Sequence, residues 1–252
     1  MYFFEDVCMP SDDAEISFYE DALELGVLNH KAALAVDLYT QELYMEEEDS
    51  SGSDGVFEKM KKAILTVLDK IDSIIRGFLD GFKVFSNKHL TADKFMNSST
   101  GQLQLAGDLF EMQKRIDHEY LQLRPVVSKI SQLTGEDIED VAKLADQVTE
   151  HVQTYSKRYG KAVINMASAT AVNKLANKCV DKMEDVQKWR SETEKSVKRL
   201  KRDERTLKMK AIQSVTKAMS VLTNAYRDIG TKAMNALNNA KNKKKNKESE
   251  DL

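Results

Sequence analysis

The side chains that most often build catalytic and metal sites are few in this sequence and lie far apart along it. Four histidines fall in four separate segments of the chain: His30, His89, His118 and His151. Glu119 follows His118, but no second histidine comes at helical spacing, so the zinc-protease pattern is incomplete. Cys8 and Cys179 have no cysteine close by in sequence, as a zinc knuckle would require. These spacings favour neither a metal centre nor an activated nucleophile.

The glycine-containing motifs of common enzymes are missing as well. The sequence has no GxxxxGK loop for phosphates, no GxGxxG dinucleotide fingerprint and no GxSxG nucleophile elbow. We therefore expect a non-enzymatic protein with no catalytic residues, no cofactor, no bound metal and no small-molecule substrate.

Charge divides the chain into an acidic and a basic part. Residues 1–55 carry fifteen acidic side chains and a single basic one, Lys31, whereas residues 56–252 are net basic by eleven charges. The change coincides with the sequence SSGSDG at 50–55, whose composition is typical of an exposed linker. This division of charge predicts two functional parts. One of them shields the charge of the other, directs it to its place, or is removed from it by cleavage.

Composition predicts helices joined by few turns. The chain has only 2 Pro and 10 Gly among 252 residues, with 31% charged and 41% hydrophobic residues. Its second half is rich in Leu, Ala, Lys, Glu and Gln, which lose least on entering a helix. We expect an all-α fold, an elongated antiparallel helical bundle or coiled coil with a short acidic helical module at its N-terminus. The longest strongly apolar run, Ala63–Leu68, is far too short to span a membrane, so we expect an intracellular soluble protein.

The predicted organisation has five parts. They are an acidic helical segment at 1–46, a flexible linker at 47–56, an amphipathic helix and connection at 57–101, a long-helical body at 102–240 and a disordered Lys-rich tail at 241–252. Within the first part we expect a helix that breaks at Gly26 and a second one, Lys31–Met45, that needs a partner. In the body we expect Pro125 to kink or end a helix and the chain to reverse near Arg202–Arg205.

One segment has a wide apolar face at helical spacing. Its members are Phe57, Met60, Ile64, Val67, Leu68, Ile71, Ile74, Ile75, Phe78, Leu79 and Phe82. This face predicts either packing against the other helices of the protein or binding at a membrane surface. Gly77 and Gly81 form a GxxxG step inside the segment, for which we expect a bend or a tight helix contact.

Two later stretches have alternating three- and four-residue spacing, which is typical of a seam between packed helices. The seam residues are Ile138, Val141, Val148, Val152, Tyr155, Tyr159, Met166, Ile212, Val215, Met219, Leu222, Tyr226 and Ile229. An earlier stretch from Leu105 to Ile130 has the same spacing, with Glu119 as its one acidic exception.

Basic residues in the C-terminal part predict either contact with phosphates or a solvated helix face. The contact candidates are Lys198, Arg199, Lys201, Arg202, Arg205, Lys243, Lys244 and Lys245. Nucleic-acid binding by these residues would be electrostatic and without sequence preference. Trp189 is the one aromatic residue nearby, so stacking on bases is not expected.

An acidic N-terminal segment and linker followed by a basic helical body and a Lys-rich tail resembles the internal head proteins and scaffolding or core proteins of tailed bacteriophages. The resemblance covers charge layout and helical style along the whole chain, and no diagnostic motif carries it. It implies that the acidic segment is a leader that directs the protein into the assembling head and is then removed. Candidate bonds for such cleavage follow Glu20 or lie within Leu43–Glu48.

These observations favour a non-enzymatic structural or assembly protein of a phage virion that acts through helix–helix association. Its expected partners are further copies of itself and other structural proteins, and its expected location is the host cytoplasm and then the virion. Two alternatives remain: a membrane-active helical protein of the ejection or pore-forming type that uses residues 57–85, and a nucleic-acid-associated protein that uses the basic C-terminal region.

Overall fold

A computed structural model describes the chain in six segments: residues 12–45, 53–89, 102–132, 137–161, 164–200 and 206–250. Their helices are α1 (Asp12–Met45), α2 (Ser53–His89), α3 (Leu109–Val127), α4 (Asp137–Tyr159), α5 (Ala169–Arg199) and α6 (Thr206–Glu250). A short 3-10 turn, Ile130–Gln132, follows α3. The protein is an all-α helical bundle, as its composition predicts.

Two short strands interrupt the helical pattern. β1 (Gln102–Ala106) precedes α3, and β2 (Ile164–Ser168) lies between α4 and α5. They pair antiparallel, with Leu103 opposite Ala167. Neither strand was predicted, and the predicted place of Met166 in a helical seam is wrong: this side chain lies on β2 and is 52% exposed. Five residues are too few for strand alternation to stand out against a three-four spacing.

The turn from β1 into α3 depends on Gly107. Its φ angle is +91°, and a Cβ atom at this position would lie 2.6 Å from the carbonyl oxygen of Tyr159. The next residue, Asp108, donates its backbone N–H to that same oxygen at 2.9 Å. Its carboxylate also accepts a hydrogen bond from the backbone N–H of Glu111 and so caps α3. The end of α4 is thereby tied to the start of α3.

α6 is the central helix of the bundle. Each of the other five helices packs against it, and its residues from Met209 to Leu237 are buried or half-buried. Thr216 and Thr223 are buried in it, and each hydroxyl donates to the carbonyl oxygen four residues earlier at 2.8 Å. Apolar and small residues cover most of the circumference of α6, and this broad surface, which several helices must cover, organises the fold.

The five outer helices form an incomplete ring around α6. In ring order, α1 packs on α2, α2 on α5, α5 on α3, and α3 on α4. Gly230, in the second half of α6, lies against Cys179, in the first half of α5, so these two consecutive helices are antiparallel. Between the two ends of the ring, α1 and α4, lies a groove.

The apolar face of α2 is used inside the bundle. Ten of its eleven predicted members are buried, and Leu79 is partly buried. The expected tight contact at Gly77 and Gly81 is absent, because a Cβ atom at either would meet nothing within 4 Å, and α2 continues as a helix through both. The tight glycine contact lies instead at Gly230 on α6.

Several predicted element boundaries differ from the observed ones. α1 runs through Gly26 without a break, because packing of both halves on the body outweighs the roughly 1 kcal/mol that one helical glycine costs. α2 begins at Ser53, inside the linker predicted at 47–56. Residues 47–52 of that linker lie outside the described residues. Pro125 falls in the last turn of α3, where the helix ends anyway.

The prediction of a disordered C-terminal tail at 241–252 is also wrong. α6 continues as a helix to Glu250, through most of the tail that was expected to be disordered. This stretch lacks Gly and Pro and is rich in Lys, a good helix former, so nothing in it stops a helix that is already nucleated. The predicted reversal at 202–205 lies outside the described residues, between the end of α5 and the start of α6.

Candidate functional site

A group of buried and half-buried polar side chains links α3, α5 and α6. The Tyr226 hydroxyl donates to Asp117 Oδ1 at 2.9 Å, and the side-chain amide of Gln113 donates to the other oxygen of the same carboxylate. One turn further along α3, the Tyr120 hydroxyl donates to Asp185 Oδ2 at 2.7 Å. Each phenol and each carboxylate in the group is therefore engaged by another member, which makes the group a set of cross-ties between helices.

Aromatic packing surrounds these hydrogen bonds. The Trp189 indole stacks on the Tyr120 ring with 4.6 Å between centroids, and Lys182 Nζ lies 3.7 Å from the centre of that ring. Tyr226 meets Tyr120 edge-on. Burial raises the pKa of Tyr226 well above its ordinary value, and the neighbouring Asp117 carboxylate adds to this effect. A phenol held neutral in this way favours a structural role.

The two carboxylates of this group differ in the sign of their pKa shifts. Burial raises the pKa of Asp117, and the hydrogen bond from Tyr226 offsets this only in part. The hydrogen bond from Tyr120 lowers the pKa of Asp185, with help from Lys188. A raised carboxyl pKa in the folded state removes stability as pH rises above the unfolded pKa, whereas a lowered pKa adds stability there.

We therefore expect an Asp→Asn substitution to change the free energy of unfolding in opposite directions at Asp117 and Asp185. At pH 7, Asp117→Asn should raise the free energy of unfolding by up to about 1 kcal/mol, since the new amide oxygen still accepts from Tyr226, Gln113 can turn its own amide oxygen toward the new NH2 group, and no charge is buried. Asp185→Asn should lower it by about 1 kcal/mol. Urea unfolding of both variants measures these changes, and equal signs would contradict the assignment.

Candidate metal-binding residues do not converge within the described residues, where no group of three or more His, Cys, Asp and Glu could hold a metal ion. Cys179 is fully buried, and that burial raises the pKa of its thiol. Glu119, the acidic exception of the α3 pattern, is buried and lies 3.2 Å from His151 Nδ1 on α4. This contact joins two helices and leaves neither residue in an open site.

The predicted seam residues lie mostly where α4 and α6 pack together. Buried members are Ile138, Val141, Val148 and Val152 on α4, and Ile212, Val215, Met219, Leu222, Tyr226 and Ile229 on α6. Tyr155 and Tyr159 are half-exposed at the end of α4. The structure thus brings the two predicted stripes into one core, with the exception of Met166.

The basic contact candidates are dispersed. Lys198 pairs with Glu194 on the same helix, and Arg199 is exposed at the rim of a cleft that Lys195 and Lys208 also line. The candidates at 201, 202 and 205 lie outside the described residues. Lys243, Lys244 and Lys245 lie on the last turns of α6, and their side chains are not among those described.

The acidic first helix docks on the basic body by one face. Leu25, Ala32 and Val36 are buried, and α1 packs on α2 and α6. The Asn29 amide donates to Ser220 Oγ at 2.9 Å. Asn29 and its apolar neighbours recur every three or four residues, which is the spacing of one helical face.

An ion-pair cluster fixes the N-terminal half of α1. Lys70 Nζ on α2 lies 2.6 Å from Asp21 Oδ1 and 2.8 Å from Glu24, and Arg227 on α6 pairs with the other Asp21 oxygen. Burial opposes ionisation of Asp21, but Lys70 and Arg227 together hold its pKa below the ordinary value. One acidic side chain of α1 is thereby bound to two basic side chains of the body.

The opposite face of α1 is apolar and uncovered. Leu23 is 71% exposed, Val27 45%, Leu34 48% and Leu38 57%. At 100° per residue these four side chains share one face, which points away from Leu25 and its docked neighbours. We call them the outer stripe. The sequence predicts that Leu34 and Leu38 belong to a helix that needs a partner; the stronger signal is that α1 is apolar on two opposite faces.

Beside the outer stripe runs the groove that interrupts the ring. Its volume is about 650 Å³, and α1, α4 and α6 supply its walls and floor. Gly26 and Ala33 line the α1 side, Val152 and Lys157 the α4 side, and Ser220 lies on the floor. The described part of α1 therefore presents an exposed apolar ridge next to an open channel that both apolar and polar side chains line.

No helix among the described residues combines the length and the apolarity that crossing a bilayer requires. Comparisons of this chain with protein-family models, with curated proteins and with solved structures found no match. The site is thus defined by its own geometry: an acidic helix that is docked by one apolar face and open on the other.

Proposed function

We propose that this protein is a non-enzymatic assembly protein that acts through helix–helix association, with α1 as its contact element. The observation that carries the proposal is the outer stripe, four large apolar side chains on one face of a helix whose other face is already docked. Single exposed leucines are ordinary on protein surfaces, but a row of them at helical spacing is typical of a site for a partner.

The charge layout supports a structural setting for this association. The docked α1 carries eight acidic residues and one basic residue, so it covers part of a basic body with an acidic surface. That layout is the feature by which the sequence resembles internal head and scaffolding proteins of tailed phages. We extend the proposal to this class of virion assembly protein, whose partners are copies of itself and other structural proteins.

The other two functions have less support. The apolar face of α2, which a membrane-active protein would insert, is packed against α1, α5 and α6. Among the basic candidates with described side chains, Lys198 is paired with Glu194, and the cleft at Arg199 also contains the acidic Glu192. Association through α1 needs no rearrangement of the fold, so we place it first.

The proposal predicts that one charge in the outer stripe abolishes association. Leu34→Glu places a carboxylate in the middle of the stripe, where burial against a partner would cost several kcal/mol. We expect the dissociation constant of the assembly to rise at least about 100-fold. Sedimentation velocity over a range of protein concentrations measures this change.

Leu121→Glu is the matched control, because Leu121 is an isolated leucine on α3 with a similar exposure of 54%. Both variants should keep the helical circular dichroism spectrum and melting temperature of the wild type, since neither side chain is buried in the bundle. If Leu34→Glu sediments like the wild type at every concentration, or if Leu121→Glu is equally impaired, α1 is not the contact element.

A further inference from the structure

We propose that the groove between α1 and α4 is the binding site for α1 of a second copy of this chain, so that two bundles exchange outer stripes in a two-fold symmetric dimer. This inference rests on the proposed function, and it adds the identity of the partner and the place where it binds. In the dimer, each outer stripe lies over α6 of the other copy, and the two α1 helices lie side by side and antiparallel.

The ring of helices around α6 has an open position that one more helix could occupy. About six helices of equal width fit around a central helix at ordinary interaxial distances. Five surround α6, and the open position is the groove between α1 and α4. Helix α1 of a second copy is an element of suitable width, and it already has a free apolar face.

The groove and the outer stripe have matching lengths. The floor of the groove runs along α6 from Gln213 to Asp228, and the outer stripe runs along α1 from Leu23 to Leu38. Both stretches span about 23 Å at 1.5 Å per helical residue. A stripe and a channel of equal length on one molecule are the requirement for an isologous interface, in which the same patch serves both copies.

The side of α1 that faces the groove carries small side chains. The α1 residues that line the groove include Gly26 and Ala33, and a Cβ atom at Gly26 would meet nothing within 4 Å. Small side chains allow two helices to approach closely. Two antiparallel α1 helices would therefore contact each other through Gly26 and Ala33, with His30 midway between these residues and near the two-fold axis.

Polar groups agree with this placement. The side-chain oxygens of Asn29 and Asn224, both of which line the groove, are buried without a hydrogen-bond partner among the described residues. Both asparagines lie at the surface of the groove that a docked helix would cover. The second copy brings the exposed carboxylates of Glu20 and Asp37 close to lysines of the groove rim, which lie at 157 and 217.

Disulfide cross-linking tests the geometry. With Cys8→Ser as background, His30→Cys places one exposed thiol near the proposed axis, while the native Cys179 is fully buried. Two such thiols across a close helix contact fall within disulfide range. We expect most of the protein to become a covalent dimer on mild oxidation. Leu121→Cys in the same background is the control, and it should remain largely monomeric.

Gly26→Leu provides a second test without thiol chemistry. Gly26 is exposed, a Cβ atom there meets nothing within 4 Å, and leucine adds helix propensity, so the melting temperature should not fall. In the dimer the leucine would separate the two α1 helices, and we expect the dissociation constant to rise at least about 10-fold.

The outcomes separate the two proposals. If Leu34→Glu weakens association but His30→Cys does not cross-link and Gly26→Leu has no effect, the groove is not the site and the assembly proposal survives. Cross-linking of Leu121→Cys at the same rate, or a wild-type protein that stays monomeric at every concentration, would also overturn the dimer. If Leu34→Glu does not weaken association, both the assembly proposal and the dimer proposal are wrong.

Discussion

Replacing Gly230 by alanine should lower the free energy of unfolding by about 3 kcal/mol, as expected for overpacking in a rigid core. A Cβ atom at this position would lie 2.4 and 2.7 Å from two atoms of the Phe78 ring and 3.3 Å from Cys179 Cβ. Phe78 is 5% exposed and Cys179 is fully buried, so neither can move without disturbing the core. Urea unfolding monitored by circular dichroism measures the loss.

Gly77→Ala is the matched control, because Gly77 also lies inside a helix but has open space where its Cβ atom would be. There the gain in helix propensity should raise stability by up to about 1 kcal/mol. Opposite signs for the two glycines would show that α2, α5 and α6 meet at Gly230. A Gly230→Ala variant as stable as the wild type would contradict this packing.

Asp21→Asn should lower the free energy of unfolding by about 2 kcal/mol, because it removes charge-assisted hydrogen bonds from Lys70 and Arg227. Both basic side chains are largely buried, with 17% and 15% exposure, so they keep their desolvation cost after the carboxylate is lost. Lys70 retains its contact with Glu24, which limits the effect.

The stabilisation from Asp21 should also depend on pH in a defined direction. Because the pKa of Asp21 is lowered in the folded state, its ionisation stabilises the protein above the unfolded pKa, near 4. That contribution should disappear as pH falls through the folded pKa. The difference in unfolding free energy between wild type and Asp21→Asn should therefore be full at pH 7 and shrink below about pH 4.

Asp80→Asn gives the comparison for this cluster. Asp80 pairs with Lys83 at 3.4 Å on the surface of α2, and both side chains are more than 70% exposed. An exposed pair of this kind contributes at most about 0.5 kcal/mol. If the two asparagine variants were equally stable, the ion pairs of Asp21 would not hold α1 on the body.

The sequence contains enough information to predict the helices and the buried face of α2, but much less about how the helices are arranged. Periodic spacing identifies which side chains are apolar along one helix, and ten members of that face are indeed buried. It does not indicate that α6 is central. That position follows from apolar and small residues over most of the circumference of α6, which a search for a single stripe does not weigh.

The candidate site was only partly predictable for a similar reason. Leu34 and Leu38 were recognised as part of a helix in need of a partner, but α1 has two apolar faces and the sequence does not say which one the body covers. Asn29 decides this, through its hydrogen bond to Ser220, which is distant in sequence. The Asp117–Tyr226 pair was unpredictable too, since it joins residues on separate helices.

In the proposed function, the two apolar faces of α1 link the fold to association. A helix that is held by Leu25 and Asp21 on one side and exposes the outer stripe on the other is fixed in place and still free to bind. Rigid presentation of an apolar stripe lowers the entropic cost of association. The acidic segment is in this account a permanent contact element of the folded protein.

Hydrogen–deuterium exchange of the wild-type protein at low and high concentration tests this account most directly. Dimer formation should slow the exchange of backbone amides in residues 23–38, and also along the groove in residues 150–157 and 213–228, as concentration rises. Exchange in the outward half of α3, around Leu121, should stay the same. Exchange rates in α1 that do not change with concentration, or protection that appears only outside α1 and the groove, would contradict the central claim.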